Sequence, residues 1–452
     1  MKLSLYPHQI ECRDFILKNG SGAIFADVGC GKTVMTLSIF EALKAKCMLV
    51  ICPLSIIDNA WGGDIERFTD FKWCNLRKGY EKADIYVTNY ESCLGDKFLK
   101  LLTLVKPDMI VLDESVRIKD PKAMTTKSIL KHAHHAKHRV ILSGCPAPNT
   151  MTEYWSQMMF VDKRIFHNSF YAFRNTYFHL QRGEQTMPAM TFMTKDQYKN
   201  IFGKGFKYAI TTQSKEKLIR QMQPWAIWIK KEDCLKLPEE VDLSRSITLS
   251  KEERKAYNDM QKHLVAIIEQ EAIAATNALS KIVKLREITS GFLINYEGKL
   301  QSFGNSKINE LKDVLEELGD KQAIIWVNFQ HEVDRLIKEL GKDKCAEVHG
   351  RIDDKNTQIK DFTSGAKQYL IANPASASEG LNLQNCDTQI FFSLSYSYAD
   401  YYQCRGRTHR SGQKNKCVYI HLIAKDSIDE TIMEVLNNKE EAVNLVHRFL
   451  KI

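Results

Sequence analysis

A glycine-rich stretch near the start restricts the fold of this 452-residue chain more than any other segment. The apolar run at residues 23–26 predicts a buried strand, and the pattern after the glycines is helical. A strand, a tight loop and a helix in this order are the repeating unit of a parallel α/β fold. The loop residues are Ala26, Asp27, Val28, Gly29, Cys30, Gly31, Lys32 and Thr33.

This loop carries the groups that bind a nucleoside triphosphate. Phosphate oxygens require curled backbone N–H groups, a nearby cation and a hydroxyl for the accompanying Mg²⁺. Gly29 and Gly31 permit the curl, Lys32 supplies the charge, and Thr33 supplies the hydroxyl. Ala26 stands where the general pattern has its first glycine, so the match is partial. The alternative is a glycine-rich connection with an exposed lysine.

An acidic pair follows a second apolar run, at residues 109–112. Because ligands of parallel sheets bind at the carboxyl ends of the strands, Asp113 is placed to hold the Mg²⁺ shell. Its neighbour Glu114 could orient the attacking water, since phosphoryl transfer mainly requires positioning and charge compensation. Alone, such a pair is more commonly a surface feature, but together with the glycine-rich loop it indicates nucleotide hydrolysis.

The remaining pattern predicts two α/β units separated by a helical middle. Further strands are expected at residues 48–52, 85–88, 140–142, 323–327, 345–348, 369–372, 389–392 and 418–422. Helices are expected within residues 166–178 and 252–293, and one long helix over 258–278, which lacks Gly and Pro. Residues 225–231 alternate like a half-buried strand. The predicted domains are residues 1–240 with a helical insertion at about 151–222, a helical protrusion or linker at 241–304, and residues 305–452.

Composition excludes several classes of protein. No apolar run reaches the ~18 residues of a membrane span, and the first residues lack a signal-peptide core, so we expect a cytoplasmic protein of a bacterium or of a virus-infected cell. The 12 cysteines include no CxxC pair, which argues against a zinc ribbon. The net charge of +9 is compatible with a polyanionic partner.

Taken in order, these motifs resemble those of superfamily-2 helicase-type ATPases, and specifically the Swi/Snf family of DNA translocases. The similarity covers nearly the whole chain. Its most specific part is the segment at residues 403–413, which fits the pattern QxxGRxxRxGQ. The resemblance implies two RecA-like parallel-sheet lobes with helical insertions, ATP and Mg²⁺ as cofactors, and an ATP site in the cleft between the lobes.

The resemblance also implies roles for individual residues. Gln9 would bind adenine, and Arg407 and Arg410 would act as arginine fingers on the γ-phosphate. The segment SASEGLNL, which contains Gly380, would link DNA to ATP. Contacts to the DNA backbone would come from Pro53, Leu54, Ser55, Thr88 and Asn89. One departure is Val116, where the family often has a histidine, so coupling between ATP and the second lobe would run differently.

The activity implied is ATP-dependent translocation on double-stranded DNA by a monomer, without strand separation. Two alternatives stay open: a strand-separating or annealing helicase on forked DNA or RNA, and a non-enzymatic DNA-binding scaffold. Efficient fork unwinding would favour the first alternative, and function that survives loss of Lys32 or Glu114 would favour the second.

Overall fold

The chain divides into two compact units in the computed structural model. The first comprises Met1–Leu235 together with Ala442–Ile452, and the second is Lys236–Glu441. The structure describes residues 2, 4–182, 185–186, 206–270, 275–295, 297–377, 381 and 383–450.

The first unit is built on a parallel sheet, which has seven strands in the described part of the chain, in the order β10-β1-β6-β5-β2-β4-β3. Its inner strands are apolar along their whole length because helices cover both faces of the sheet. The strands are β1 (Gly22–Ala26), β2 (Met48–Cys52), β3 (Trp73–Asn75), β4 (Ile85–Asn89), β5 (Met109–Asp113), β6 (His138–Ser143) and β10 (Ala226–Ile229). β10 lies beside β1, which confirms the strand predicted at residues 225–231.

Helices connect these strands and pack on the sheet. They are α1 (Pro7–Asn19), α2 (Lys32–Ala42), α3 (Gly63–Phe68), α4 (Asp96–Val105), α5 (Met124–His132), α6 (Tyr154–Val161), α7 (Phe170–Tyr177), α8 (Thr212–Met222) and α9 (Lys231–Cys234). A single π-helical turn, Ile57–Gly62, precedes α3. The insertion also contains a small antiparallel sheet of β7 (His179–Arg182), β8 (Gln185–Thr186) and β9 (Phe206–Ala209), so it is not purely helical.

The second unit contains another parallel sheet, with the strand order β11-β18-β17-β14-β16-β15. Its strands are β11 (Glu240–Ile247), β14 (Ala323–Trp326), β15 (Cys345–Val348), β16 (Tyr369–Ala372), β17 (Thr388–Phe391) and β18 (Cys417–Ala424). A hairpin of β12 (Phe292–Ile294) and β13 (Leu300–Ser302) precedes β14. The helices are α10 (Lys251–Gln270), α11 (Ala275–Thr289), α12 (Ser306–Leu318), α13 (Gln330–Leu340), α14 (Lys355–Thr363), α15 (Pro374–Ala377), α16 (Tyr398–Arg405) and α17 (Ile428–Leu450), whose residues from Ala442 onward belong to the first unit. Two parallel-sheet units with helical insertions are the fold class that the sequence predicts.

The prediction that the helical linker begins at residue 241 is wrong. Residues 240–247 form β11, an edge strand that pairs in parallel with β18 from Glu240 opposite Cys417 to Ile247 opposite Ala424. Its polar and apolar residues alternate, because one side of this edge strand stays largely exposed. The single long helix predicted over residues 258–278 stays a prediction, since residues 271–274 lie outside the described residues.

Candidate functional site

The loop between β1 and α2 has the backbone of an anion-binding turn. Gly29 and Gly31 adopt φ angles of +95° and +82°, in the left-handed region that glycine tolerates. Gly31 is the N-terminal cap of α2, whose first backbone N–H groups have no partner within the helix. The Lys32 ammonium donates to the Ala26 carbonyl at 2.9 Å, which keeps its charge over the loop. Thr33 follows on the first turn and is half-buried.

The first helix packs directly against this loop. The Gln9 amide donates to the Cys30 carbonyl at 3.4 Å, and its oxygen accepts from the Tyr6 N–H at 3.0 Å. The His8 ring nitrogen Nε2 lies 3.1 Å from the same carbonyl. A Cβ on Gly31 would come within 2.5 Å of Gln9 Nε2, so glycine is required for close packing as well as for its φ angle. Gln9 therefore lies beside the phosphate loop, as a nucleotide-contacting residue must.

The acidic pair lies at the same edge of the sheet. In the register of the sheet, Asp113 is opposite Leu142 of β6, and Leu142 is opposite Ile24 of β1. The loop after β1 and the carboxylates after β5 are thus separated by one strand and face the same end. Glu114 has a φ of +53° and is half-buried, whereas Asp113 is 7% exposed.

Two buried aromatic residues, Trp61 and Tyr90, hold Asp113, and no sequence motif predicts this role for either of them. The Trp61 indole donates to Asp113 Oδ2 at 2.8 Å, while the Glu114 N–H donates to Oδ1 at 3.0 Å. The Tyr90 hydroxyl donates to the Asp113 carbonyl at 2.8 Å. Burial, reinforced by the charge of Asp113, raises the pKa of Tyr90, so this hydroxyl remains a donor. The sequence around Trp61 carries no signal that its ring turns inward.

The predicted DNA-contacting residues divide into exposed and buried ones. Leu54 is 59% exposed and Ser55 is also exposed, whereas Pro53 is buried. Thr88 and Asn89, at the end of the inner strand β4, are buried as well. The Asn89 amide donates to Glu91 at 2.6 Å. Contact of DNA with these two residues stays a prediction, and neither side chain is exposed in this conformation.

Two arginines in the second unit converge on one carbonyl group. Arg407 and Arg410 each donate from their Nη1 atoms to the Leu381 carbonyl, at 3.2 and 3.3 Å. Arg405, only two residues earlier, instead forms a two-pronged ion pair with Asp242 at 3.0 and 2.9 Å. Gly380, predicted to bind nucleotide, lies outside the described residues.

Comparison with known proteins assigns the family. Residues 8–291 match the model of the SNF2-related domain, and residues 306–412 match that of the helicase conserved C-terminal domain. The chain belongs to the Swi/Snf family. This Swi/Snf-family protein is an ATPase of helicase superfamily 2, and the resemblance inferred from its motifs is confirmed.

Its relatives differ greatly in length. A putative protein of Acyrthosiphon pisum secondary endosymbiont phage 1 is 25% identical, with 98% of each chain covered. An uncharacterized ATP-dependent helicase of Mycoplasma genitalium is 26% identical over 94% of this ATPase but only 40% of its own length. A nuclear protein of Saccharomyces cerevisiae is 26% identical, with 92% of this chain and 32% of its own length covered.

The chain is also similar to solved structures. The SWI2/SNF2 ATPase core of Sulfolobus solfataricus in complex with double-stranded DNA has 22% identity and a TM-score of 0.44, with 98% of this ATPase and 92% of that chain covered. Among the helices in the described part of this ATPase, none combines the length and apolar character of a membrane span.

Proposed function

We propose that this ATPase moves along double-stranded DNA and displaces bound proteins without separating the strands. The observation that supports its motor chemistry is the loop of Gly29 to Thr33 facing the same sheet edge as Asp113 and Glu114. These groups would form one half of a triphosphate site within the first unit. We propose ATP as the nucleotide, because the chain belongs to a family of ATPases.

In the bound state, the backbone N–H groups of the loop and of the first turn of α2 would surround the phosphates. Lys32 would exchange the Ala26 carbonyl for β- and γ-phosphate oxygens, because a charged acceptor forms the stronger hydrogen bond. Gln9, already held beside Cys30, would contact the adenine base. This exchange couples nucleotide binding to a change at the end of β1.

The residues at this edge also fit Mg²⁺. A carboxylate and a hydroxyl are the oxygen ligands that this ion prefers, and Asp113 is held in place by Trp61 and its own following N–H. Thr33 and Asp113 would hold the ion, which supplies charge compensation for the phosphates. Trp61 fixes the orientation of the Asp113 carboxylate before the ion arrives.

Hydrolysis would use Glu114 to orient water and two arginines to stabilise the transition state. Guanidinium groups match the equatorial oxygens of the transferring phosphoryl group. Arg407 and Arg410 share a carbonyl acceptor, which each can give up for a phosphate oxygen. Arg405 would not serve, because its ion pair with Asp242 engages both terminal nitrogens.

The DNA would be gripped through its backbone. Leu54 and Ser55 form an exposed segment directly after β2, and the chain carries a net charge of +9. Backbone contacts carry no sequence information and release counterions, so binding should be salt-sensitive and largely independent of sequence. We further propose a cytoplasmic protein that works as a monomer, so that ATPase activity per chain should not change with protein concentration.

The test compares ATP hydrolysis with single-stranded, duplex, forked and RNA substrates. Duplex DNA should stimulate hydrolysis most, and Lys32→Ala and Glu114→Gln should each lower turnover by about 10²–10³-fold. The exposed Lys100→Ala and Glu316→Gln are matched controls that should leave turnover unchanged. Activity that persists in both site variants would contradict the proposal.

A second assay separates translocation from unwinding. A motor that tracks duplex DNA should displace the third strand of a triplex in the presence of ATP and leave a forked duplex intact. Efficient fork unwinding would instead assign the protein to the strand-separating helicases.

A further inference from the structure

Two cysteines that are far apart in the sequence meet at the phosphate loop. Cys30 lies between the two left-handed glycines of the loop, and Cys234 is the last residue of α9. Their Sγ atoms are 3.9 Å apart. Cys30 is 1% exposed, whereas Cys234 is partly exposed and can be reached from solvent.

Several hydrogen bonds hold the two segments in register. The Asp27 carboxylate accepts from the Lys231 N–H at 3.0 Å, which anchors the start of α9 to the loop. The backbone N–H of Asp27 also donates to the Ile229 carbonyl at 3.0 Å. The backbone segments that carry the two cysteines are therefore held next to each other by the sheet and by the start of α9.

The environment distinguishes the two thiols. The Cys30 thiol, hydrogen-bonded to the Cys234 sulfur, lowers the pKa of Cys234, although burial and the charges of Asp27 and Asp233 oppose this effect. The same hydrogen bond, together with burial, raises the pKa of Cys30. Cys12, which is fully buried nearby, has a pKa raised to about 12 by burial and stays a thiol. Cys234, the more exposed of the two thiols, is thus the nucleophile of the pair, and the buried Cys30 is the resolving thiol.

We propose that Cys30 and Cys234 form an oxidation site at which hydrogen peroxide joins them in a disulfide that closes the phosphate loop to nucleotide. The Cys234 thiolate attacks one peroxide oxygen, the O–O bond breaks, and hydroxide leaves, so that Cys234 becomes a sulfenic acid. The Cys30 sulfur then attacks the sulfenic sulfur, the S–O bond breaks, and water leaves with the remaining proton. Two thiols lose two electrons, and one peroxide is reduced to two waters.

The new bond would distort the loop. A disulfide requires sulfur atoms about 2.05 Å apart, so the two sulfur atoms must approach each other, and we expect the loop to shift towards α9 as they do. The Cys30 carbonyl is also the acceptor for Gln9, and the glycines on either side of Cys30 define the curl of the loop. A shift of Cys30 therefore turns the N–H groups away from the phosphate position. This consequence rests on the proposed nucleotide site, whereas formation of the disulfide does not.

The experiment uses the full chain with hydrogen peroxide and then dithiothreitol. Peptide mass spectrometry without reduction should detect a peptide pair joining Cys30 to Cys234, and binding of a fluorescent ATP analogue should weaken by about tenfold or more. Reduction should restore binding. Cys234→Ser should bind the analogue normally and keep that affinity after peroxide. Cys47→Ser, which removes another partly exposed thiol, should remain as sensitive as the wild type.

Two results would overturn the proposal: no joined peptide in oxidised wild type, or equal loss of binding in Cys234→Ser. Cys234→Ala provides a second variant if the serine weakens folding, which a thermal melt would reveal. Failure of the nucleotide site itself is recognised separately, because the reduced wild type would then bind the analogue no better than Lys32→Ala.

Discussion

Replacing Gly31 with alanine adds one methyl group at the tightest point of the phosphate loop. The new Cβ would lie 2.5 Å from Gln9 Nε2, a separation that real Cβ atoms do not tolerate. The backbone at this position also has a φ of +82°. The substitution therefore imposes two costs, one on the backbone and one on the packing of α1.

Each cost has its own magnitude. An alanine in the left-handed region costs about 1–2 kcal/mol. The neighbouring atom belongs to a side chain, so Gln9 moves and gives up its hydrogen bonds to Tyr6 and Cys30, at a further cost of about 1 kcal/mol. We expect Gly31→Ala to lower the free energy of unfolding of the first unit by about 2–3 kcal/mol.

A control and a double variant separate these costs. Gly365 has a φ of +84° and open space around its Cβ position, so Gly365→Ala should cost only about 1–2 kcal/mol. In the Gln9→Ala background, Gly31→Ala should cost about 1 kcal/mol less than in the wild type. The assay is urea unfolding without nucleotide, followed by circular dichroism and by tryptophan fluorescence. A cost for Gly31→Ala equal to that for Gly365→Ala, with no coupling to Gln9, would refute the argument.

Three further predictions concern buried polar groups. Trp61→Phe removes the donor to Asp113 and should lower the unfolding free energy of the first unit by about 1.5–3 kcal/mol in urea, and raise the Mg²⁺ concentration that hydrolysis requires. Lys307→Met leaves Asp429 charged and buried and should cost about 3–5 kcal/mol, most of it recovered when Asp429→Leu is added. Burial lowers the pKa of His421 to about 4, and the unfolded chain takes up this proton near pH 6.5, so stability should fall by roughly 3 kcal/mol as the pH drops from 6.5 to 4. The unfolding free energy, measured in urea at several pH values across this range, should depend less on pH for His421→Gln than for the wild type. An equal pH dependence would contradict the assignment of this effect to His421.

The inner strands of both sheets could be predicted because a strand buried on both faces reads as an uninterrupted apolar run. β2 begins and ends where the pattern places it, at Met48 and Cys52. β11 was missed because its alternating residues lie at an exposed edge within a stretch dominated by helical periodicity. The burial of an edge strand depends on the strand with which it pairs. The partner of β11 is β18, which lies more than 150 residues later in the sequence, so the local pattern does not reveal it.

The residues of the candidate site also divide into features that the sequence could predict and features that it could not. Lys32 and Asp113 could be placed from the sequence, since the last residue of a parallel strand, and the loop and helix start that follow such a strand, lie at the carboxyl edge of the sheet. The position of Thr88 on its strand was equally clear, but its burial depends on the elements that pack on the faces of the sheet. Sequence spacing locates a residue along a strand, whereas the elements packed on each face decide whether its side chain reaches solvent.

Within a single motif, Arg405 has different hydrogen-bond acceptors from Arg407 and Arg410, because it packs in a different place. Arg405 meets a carboxylate in a two-pronged pair, a geometry that favours the bound state strongly and holds α16 to β11. Arg407 and Arg410 meet the Leu381 carbonyl, a neutral acceptor that an anionic phosphate oxygen can replace at a gain in energy. Within one arginine-rich motif, Arg405 therefore has the structural role of an anchor, whereas the proposed role of Arg407 and Arg410 as arginine fingers requires them to exchange the Leu381 carbonyl for phosphate.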